Sequence, residues 1–63
     1  MNVNILKSLR VKQGLKQQDV ANYLGITVSA YNYKENGKRK FSIDEAIKLA
    51  RLLKCDIEDI FLN

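Results

Sequence analysis

Three glycines and no proline constrain this chain of 63 residues more than any other feature. Gly14, Gly25 and Gly37 stand where a left-handed residue closes a helix, and nothing between them is a strong breaker. Ile5, Leu6 and Leu9 recur at helical spacing behind Asn4 as an N-cap, which predicts a first helix over residues 5–13. Val20, Ala21 and Leu24 mark a short second helix that opens near Gln17 and stops at Gly25. Thr27 then caps a third, over residues 28–36, ended by Gly37. The tetrapeptide Ser42 to Glu45, SIDE, has the form of a capping box. It opens a fourth helix with Ile43, Ala46, Ile47, Ala50 and Leu53 on one apolar stripe, widened by Leu49 and Leu52. Asp56 caps a last turn or two holding Ile57, Ile60 and Phe61. With no strand alternation, repeat or linker in view, the expectation is an all-α chain of five short helices forming one domain over residues 1–63.

Charge is unevenly placed along these helices. Residues 1–40 carry eight Lys/Arg against Asp19 and Glu35, a net +6, whereas residues 41–63 carry three against five acids, a net −2. One end of the folded body is therefore positive and steers a polyanion or an anionic membrane surface toward itself, with nucleic acid the commoner partner. A merely solvated basic surface is the plainer alternative. No apolar run approaches the 18 or so residues of a membrane span, and no signal-peptide pattern opens the chain. Cys55 has no internal partner, so nothing calls for an oxidising compartment, and a cytoplasmic setting is expected.

Catalysis finds little to use. The chain has no histidine, no second cysteine, no glycine-rich phosphate loop and no metal-ligand set, so neither enzyme activity nor a cofactor, metal or small-molecule ligand is expected. Asp56, Glu58 and Asp59 gather at a helix N-terminus, where the helix dipole accounts for them.

The second and third helices are separated by Gly25, Ile26 and Thr27, a three-residue glycine turn of helix-turn-helix form, although plain packing produces such turns too. The third helix carries more weight. Turning 100° per residue, it sets Ala30, Tyr31 and Lys34 on one side and Val28, Ser29, Asn32 and Tyr33 on the other. That second side has no acid and offers a methyl contact and hydrogen-bonding groups, which suit base edges in a major groove wide enough to admit a helix. Lys38, Arg39 and Lys40 follow its end, positioned to meet phosphates while the helix lies in the groove. Complementing the negative helix C-terminus is the other use for such cations, and it needs fewer of them.

The segment LKQQDVANYLGIT followed by ENGKR resembles the Cro/C1-type helix-turn-helix family of phage and plasmid repressors. The similarity spans nearly the whole chain and rests on the joint spacing of Gln17, Ala21, Gly25, Glu35-Asn36-Gly37 and the basic run. It implies a lambda-repressor-like DNA-binding domain and a sequence-specific regulator of transcription, of repressor type, whose partner is double-stranded DNA. By position, Gln17, Thr27, Val28, Ser29, Asn32 and Tyr33 match the residues that read bases. Arg10, Lys16, Gln18, Asn36, Lys38, Arg39 and Lys40 match phosphate contacts, and Arg10 also matches a pair with Glu35 that ties the first helix to the third.

Departures from the family pattern are local. Lys16 departs from the family's Ser or Thr cap of the second helix, so the cap is weaker; its charge is either a phosphate contact or simply an exposed lysine. Lys34 fills a usually apolar place, its stem on the core and its ammonium snorkelling to water. Lys54 replaces a glycine and, if left-handed, is strained by about 1 kcal/mol. Cys55 reads as an inert buried thiol, Tyr31 as core and Tyr23 as surface.

Because the sequence runs out after the fifth helix, the expected form is a minimal repressor that binds a pseudo-palindromic operator as a weak homodimer through Leu52, Ile57, Phe61 and Leu62. The competing class is a small protein-interaction module, or antitoxin-like partner, that uses the same C-terminal apolar surface.

Overall fold

The computed structural model describes residues 3–61. Among them are five helices, α1 (Val3–Lys12), α2 (Gln17–Leu24), α3 (Val28–Glu35), α4 (Ile43–Leu52) and α5 (Ile57–Phe61), and no strand. None is long and apolar enough to cross a membrane. Asn4 lies inside α1 and not at its cap, because the helix already includes Val3.

Backbone stops explain the segmentation. After α1, α2, α3 and α4 a left-handed residue turns the chain, and the next N–H closes on a carbonyl five residues back. The four bonds are Leu15 to Arg10 at 3.2 Å, Ile26 to Ala21 at 3.0 Å, Lys38 to Tyr33 at 2.8 Å and Cys55 to Ala50 at 3.0 Å. Leu15, Ile26 and Cys55 then pack against the core, whereas Lys38 stays exposed.

Helix starts follow side-chain chemistry. Ser42 Oγ accepts from the Glu45 N–H at 3.1 Å while Glu45 Oε1 accepts from the Ser42 N–H at 2.8 Å, the reciprocal box expected from SIDE. Lys16, which has no acceptor, makes no side-chain cap, and only Asp19 Oδ2 reaches back to the Lys16 N–H, at 2.8 Å. At α5 the Asp56 N–H likewise donates to Asp59 Oδ2, at 3.1 Å.

Leu6, Val20, Ala21, Leu24, Tyr31, Leu49, Leu53 and Ile60 form the core, with Leu9, Leu15, Ile26, Phe41, Leu52, Cys55 and Phe61 packed around it. Tyr31 meets Phe41 with ring centroids 6.2 Å apart, and Phe41 meets Phe61 edge-on at 5.7 Å. The apolar stripe of α4 is rotated from its expected place. Ala46, Leu49 and Ala50 are buried, but Ile43 is 80% exposed and Ile47 is also exposed. At 100° per residue those isoleucines fall on the rim of the stripe, and packing against α2 and α5 selects the flank that carries Leu49 and Leu53.

Candidate nucleic-acid interface

The α2–turn–α3 unit is built so that one side of α3 is pinned and the other left open. Gly25, at φ 73°, makes the tight turn, and Thr27 Oγ1 accepts from the Ala30 N–H at 3.1 Å to start α3. Tyr31 and Glu35 face inward and are buried. Val28, Ser29 and Tyr33 are exposed and Asn32 is half-buried, so the side of α3 without acidic residues is the outer one.

Polar ties hold α3 at this rotation. Arg10 Nε donates to Glu35 Oε1 at 2.7 Å, an ion pair in which Arg10 is 8% and Glu35 2% exposed. The same guanidinium donates through Nη1 to the Leu15 carbonyl at 2.8 Å. The pair with Glu35 is thus present, but Arg10 as a phosphate contact is corrected: with 8% of the residue exposed and two of its N–H groups turned to a buried carboxylate and a carbonyl, it ties α1 to α3 and offers little surface to DNA. The Tyr31 hydroxyl lies beside this pair. Burial, and then the Glu35 charge, push its pKa far above the usual tyrosine value against the opposing pull of Arg10, and keep it neutral.

Gln17 connects the pair to the surface. Its Nε2 donates to Glu35 Oε2, and its Oε1 accepts from Asn32 Nδ2 at 3.2 Å. Two residues expected to read bases are therefore joined to one another and to the buried carboxylate.

Lys34 departs from its expected course. Instead of snorkelling to water, its ammonium sits 2.6 and 2.7 Å from the two carboxylate oxygens of Glu45, 6.0 Å from the Phe41 ring centre, with both side chains largely buried. Burial opposes ionisation of Glu45, but hydrogen bonds from Lys34 and Ser42 outweigh it and hold the carboxyl below its ordinary range. Lys34 and Glu35, adjacent in sequence, thus bind α3 to α4 and to α1. Spacing alone gave no sign of the first tie, since Glu45 was already accounted for as half of a capping box.

Cations collect at the end of α3. Lys38, Arg39 and Lys40 are exposed, and two of them lie over the Tyr33 ring, Arg39 Cζ at 5.3 Å and Lys38 Nζ at 5.9 Å from its centre. Tyr33, itself 43% exposed, therefore sits with the basic cluster more than with Asn32. Asn36 Nδ2 donates to the Asn32 carbonyl at 2.9 Å, and Gln18 Nε2 donates to Asn22 Oδ1 at 2.8 Å, both on exposed surface. Lys16 is exposed at the head of α2.

The C-terminal apolar residues divide. Leu52 is half-buried against the core and Phe61 is half-buried against Phe41, while Ile57 is exposed. Leu62 lies outside the described residues. An apolar cleft of about 530 Å³, lined by Phe41, Ile43, Ala46, Ile57 and Phe61 with Lys40 at its edge, runs between α4 and α5. Cys55 is half-buried, and burial followed by Asp59 and Asp56 raises its thiol pKa, which disfavours the thiolate.

Comparison with known proteins agrees with this geometry. A family model described as helix-turn-helix matches residues 6–60. Two proteins of Archaeoglobus fulgidus, each named as an uncharacterized HTH-type transcriptional regulator, are 32% and 33% identical over 57 residues. These alignments cover 90% of this chain and 81% and 80% of the relatives. No solved structure matches it significantly.

Proposed function

Because the chain belongs to the helix-turn-helix family and is a DNA-binding transcriptional regulator, we propose that it is a repressor working in the cytoplasm, where it lays α3 in the major groove of a pseudo-palindromic operator. The observation that carries this reading is an outer face of α3 free of acidic side chains, ending in three exposed cations. Val28, Ser29 and Asn32 meet base edges, with Gln17 and Thr27 at the margin. Lys38, Arg39 and Lys40, helped by Lys16, Gln18 and Asn36, grip phosphates. Tyr33 serves chiefly as a platform that holds Lys38 and Arg39 in place. No step of this role calls for catalysis, metal or cofactor.

A gel shift with random duplex DNA at low and high salt tests the reading. Binding that weakens steeply with salt supports it, because each neutralised phosphate releases a counterion. Binding without a salt slope, or none, overturns it.

The same reading includes a weak homodimer whose half-sites lie about 34 Å apart on the operator. Ile57 and Phe61 remain candidates for its contact and Leu62 is retained from the sequence, while Leu52 contributes less because it faces the core. Sedimentation that finds a monomer both free and on a two-half-site operator would remove this part. Exposed Ile43, Ile47 and Ile57 also favour a second reading, a protein partner held on the α4–α5 face, which is compatible with DNA binding.

A further inference from the structure

Four side chains from three helices form one line from the interior to the outer face of α3: Arg10, Glu35, Gln17 and Asn32. Chemistry gives this line a direction. A guanidinium only donates, and a carboxylate paired with it only accepts. Glu35 spends Oε1 on Arg10 and Oε2 on Gln17, so the end of the Gln17 amide that meets it must be the NH2 group. The Gln17 carbonyl is thereby turned away from Glu35, and the group that meets it from Asn32 must again be NH2, as the 3.2 Å contact has it. From Glu35 outward, each amide donates toward the interior and accepts from the next residue out, while Arg10 donates to Glu35 from the other side. Asn32 is left with Oδ1 as the outermost atom of its amide.

An asparagine without such an anchor turns its amide over freely and offers either end. This one does not, because reversing it would oppose two carbonyl oxygens, and reversing Gln17 as well would set a carbonyl against a buried carboxylate. We propose that Glu35, which never touches DNA, is a specificity-positioning residue: through Gln17 it fixes Asn32 with Oδ1 toward the groove and so selects adenine over guanine at the base Asn32 faces. Adenine offers its N6 amino group to that oxygen, with N7 beside it for the remaining N–H, whereas guanine presents acceptors at both places. The proposal rests on the groove-binding reading above and adds to it the origin of a base preference.

Glu35→Gln makes the test sharp, because it inverts the line. Arg10 still requires an acceptor, so it holds the carbonyl of the new amide and turns the NH2 toward Gln17. Gln17 then accepts there and donates to Asn32 Oδ1, which leaves Asn32 Nδ2 outermost and suited to an acceptor such as guanine O6.

Sites are first selected by the wild-type chain from a random duplex pool, and Asn32→Ala marks the position it reads by flattening the preference there. Titration of duplexes that differ only by adenine or guanine at that position should give about tenfold preference for adenine with wild type. It should give preference for guanine with Glu35→Gln, with other positions unchanged. Gln17→Met, which cuts the line without touching the ion pair, should bring the two affinities together even if overall affinity falls. This variant decides the matter if a thermal melt shows Glu35→Gln unfolded. A wild type that selects sites but favours guanine overturns the proposal and leaves DNA binding intact. So does a folded Glu35→Gln, or Gln17→Met, with the adenine preference unaltered. A wild type that enriches no duplex sequence overturns both readings.

Discussion

The last turns of α3 and α4 close with the same pair of backbone bonds. After α3, Gly37 donates to the Lys34 carbonyl at 3.2 Å and Lys38 to the Tyr33 carbonyl at 2.8 Å; after α4, Lys54 donates to Arg51 at 3.2 Å and Cys55 to Ala50 at 3.0 Å. The left-handed residue is glycine in one and lysine in the other, at φ 78° and 56°. Beyond these stops the two chain segments part. Cys55 tucks against the core and leads into α5, whereas Lys38 turns outward and, with Arg39, covers the Tyr33 ring. The turn itself only satisfies carbonyls. The side chain placed just past it decides whether the chain is drawn under the core or a cation is held over the Tyr33 ring on the outer side of α3.

Exchanging the characters of the two ends is the direct way to break this contrast. Putting charge at the α4 end should have the largest effect: Cys55→Asp places a carboxylate where burial and the nearby Asp59 and Asp56 already disfavour a thiolate. Urea unfolding should show a loss of about 2 kcal/mol, with the salt slope of DNA binding unchanged for the folded fraction. Removing charge at the α3 end should do the reverse. Lys38→Ala should weaken binding to all duplexes alike and lower the salt slope by about one, while stability moves by no more than about 0.5 kcal/mol. If Lys38→Ala instead changed the order of preferred sequences, its assignment to phosphate would be wrong.

Two smaller effects sharpen the comparison. Lys54→Gly gives α4 the same stop as α3 and should raise stability by about 0.5–1 kcal/mol, read as a higher urea midpoint at unchanged slope; no gain would mean that Lys54 carries no strain. The Lys34–Glu45 tie, which joins the end of α3 to the start of α4, should show in the pH dependence. The folded Glu45 carboxyl titrates below its ordinary value of 4.5, so its contribution is present in full above that value. It declines as pH falls below it and is gone once the lowered folded value is passed. Glu45→Gln should remove this part of the acid destabilisation, seen by comparing unfolding midpoints above and below pH 4.5.

Much of the scaffold was legible because its signals are short in range. Glycine stops act over five residues, the SIDE box over three, and the helix-turn-helix over one turn and its flanks. The outer set on α3, Val28, Ser29, Asn32 and Tyr33, followed from 100° per residue and lies where periodicity placed it. The Arg10–Glu35 pair came from family resemblance and is present. Other assignments failed for a common reason. Arg10 was also given to phosphate, Lys34 to solvent, and Ile43 and Ile47 to the core, and in each the outcome depends on a partner distant in sequence.

From its residue order alone, this chain is committed to the five helices seen among the described residues, to most of their stops, and to an acid-free outer side of α3 followed by cations, because these follow from local backbone chemistry and helical period. Packing decided how far each helix is rotated, which of two lysine and arginine fates applies, and how Gln17 and Asn32 are aimed. Those outcomes depend on contacts between side chains 11 to 25 residues apart, and only the assembled core sets such distances.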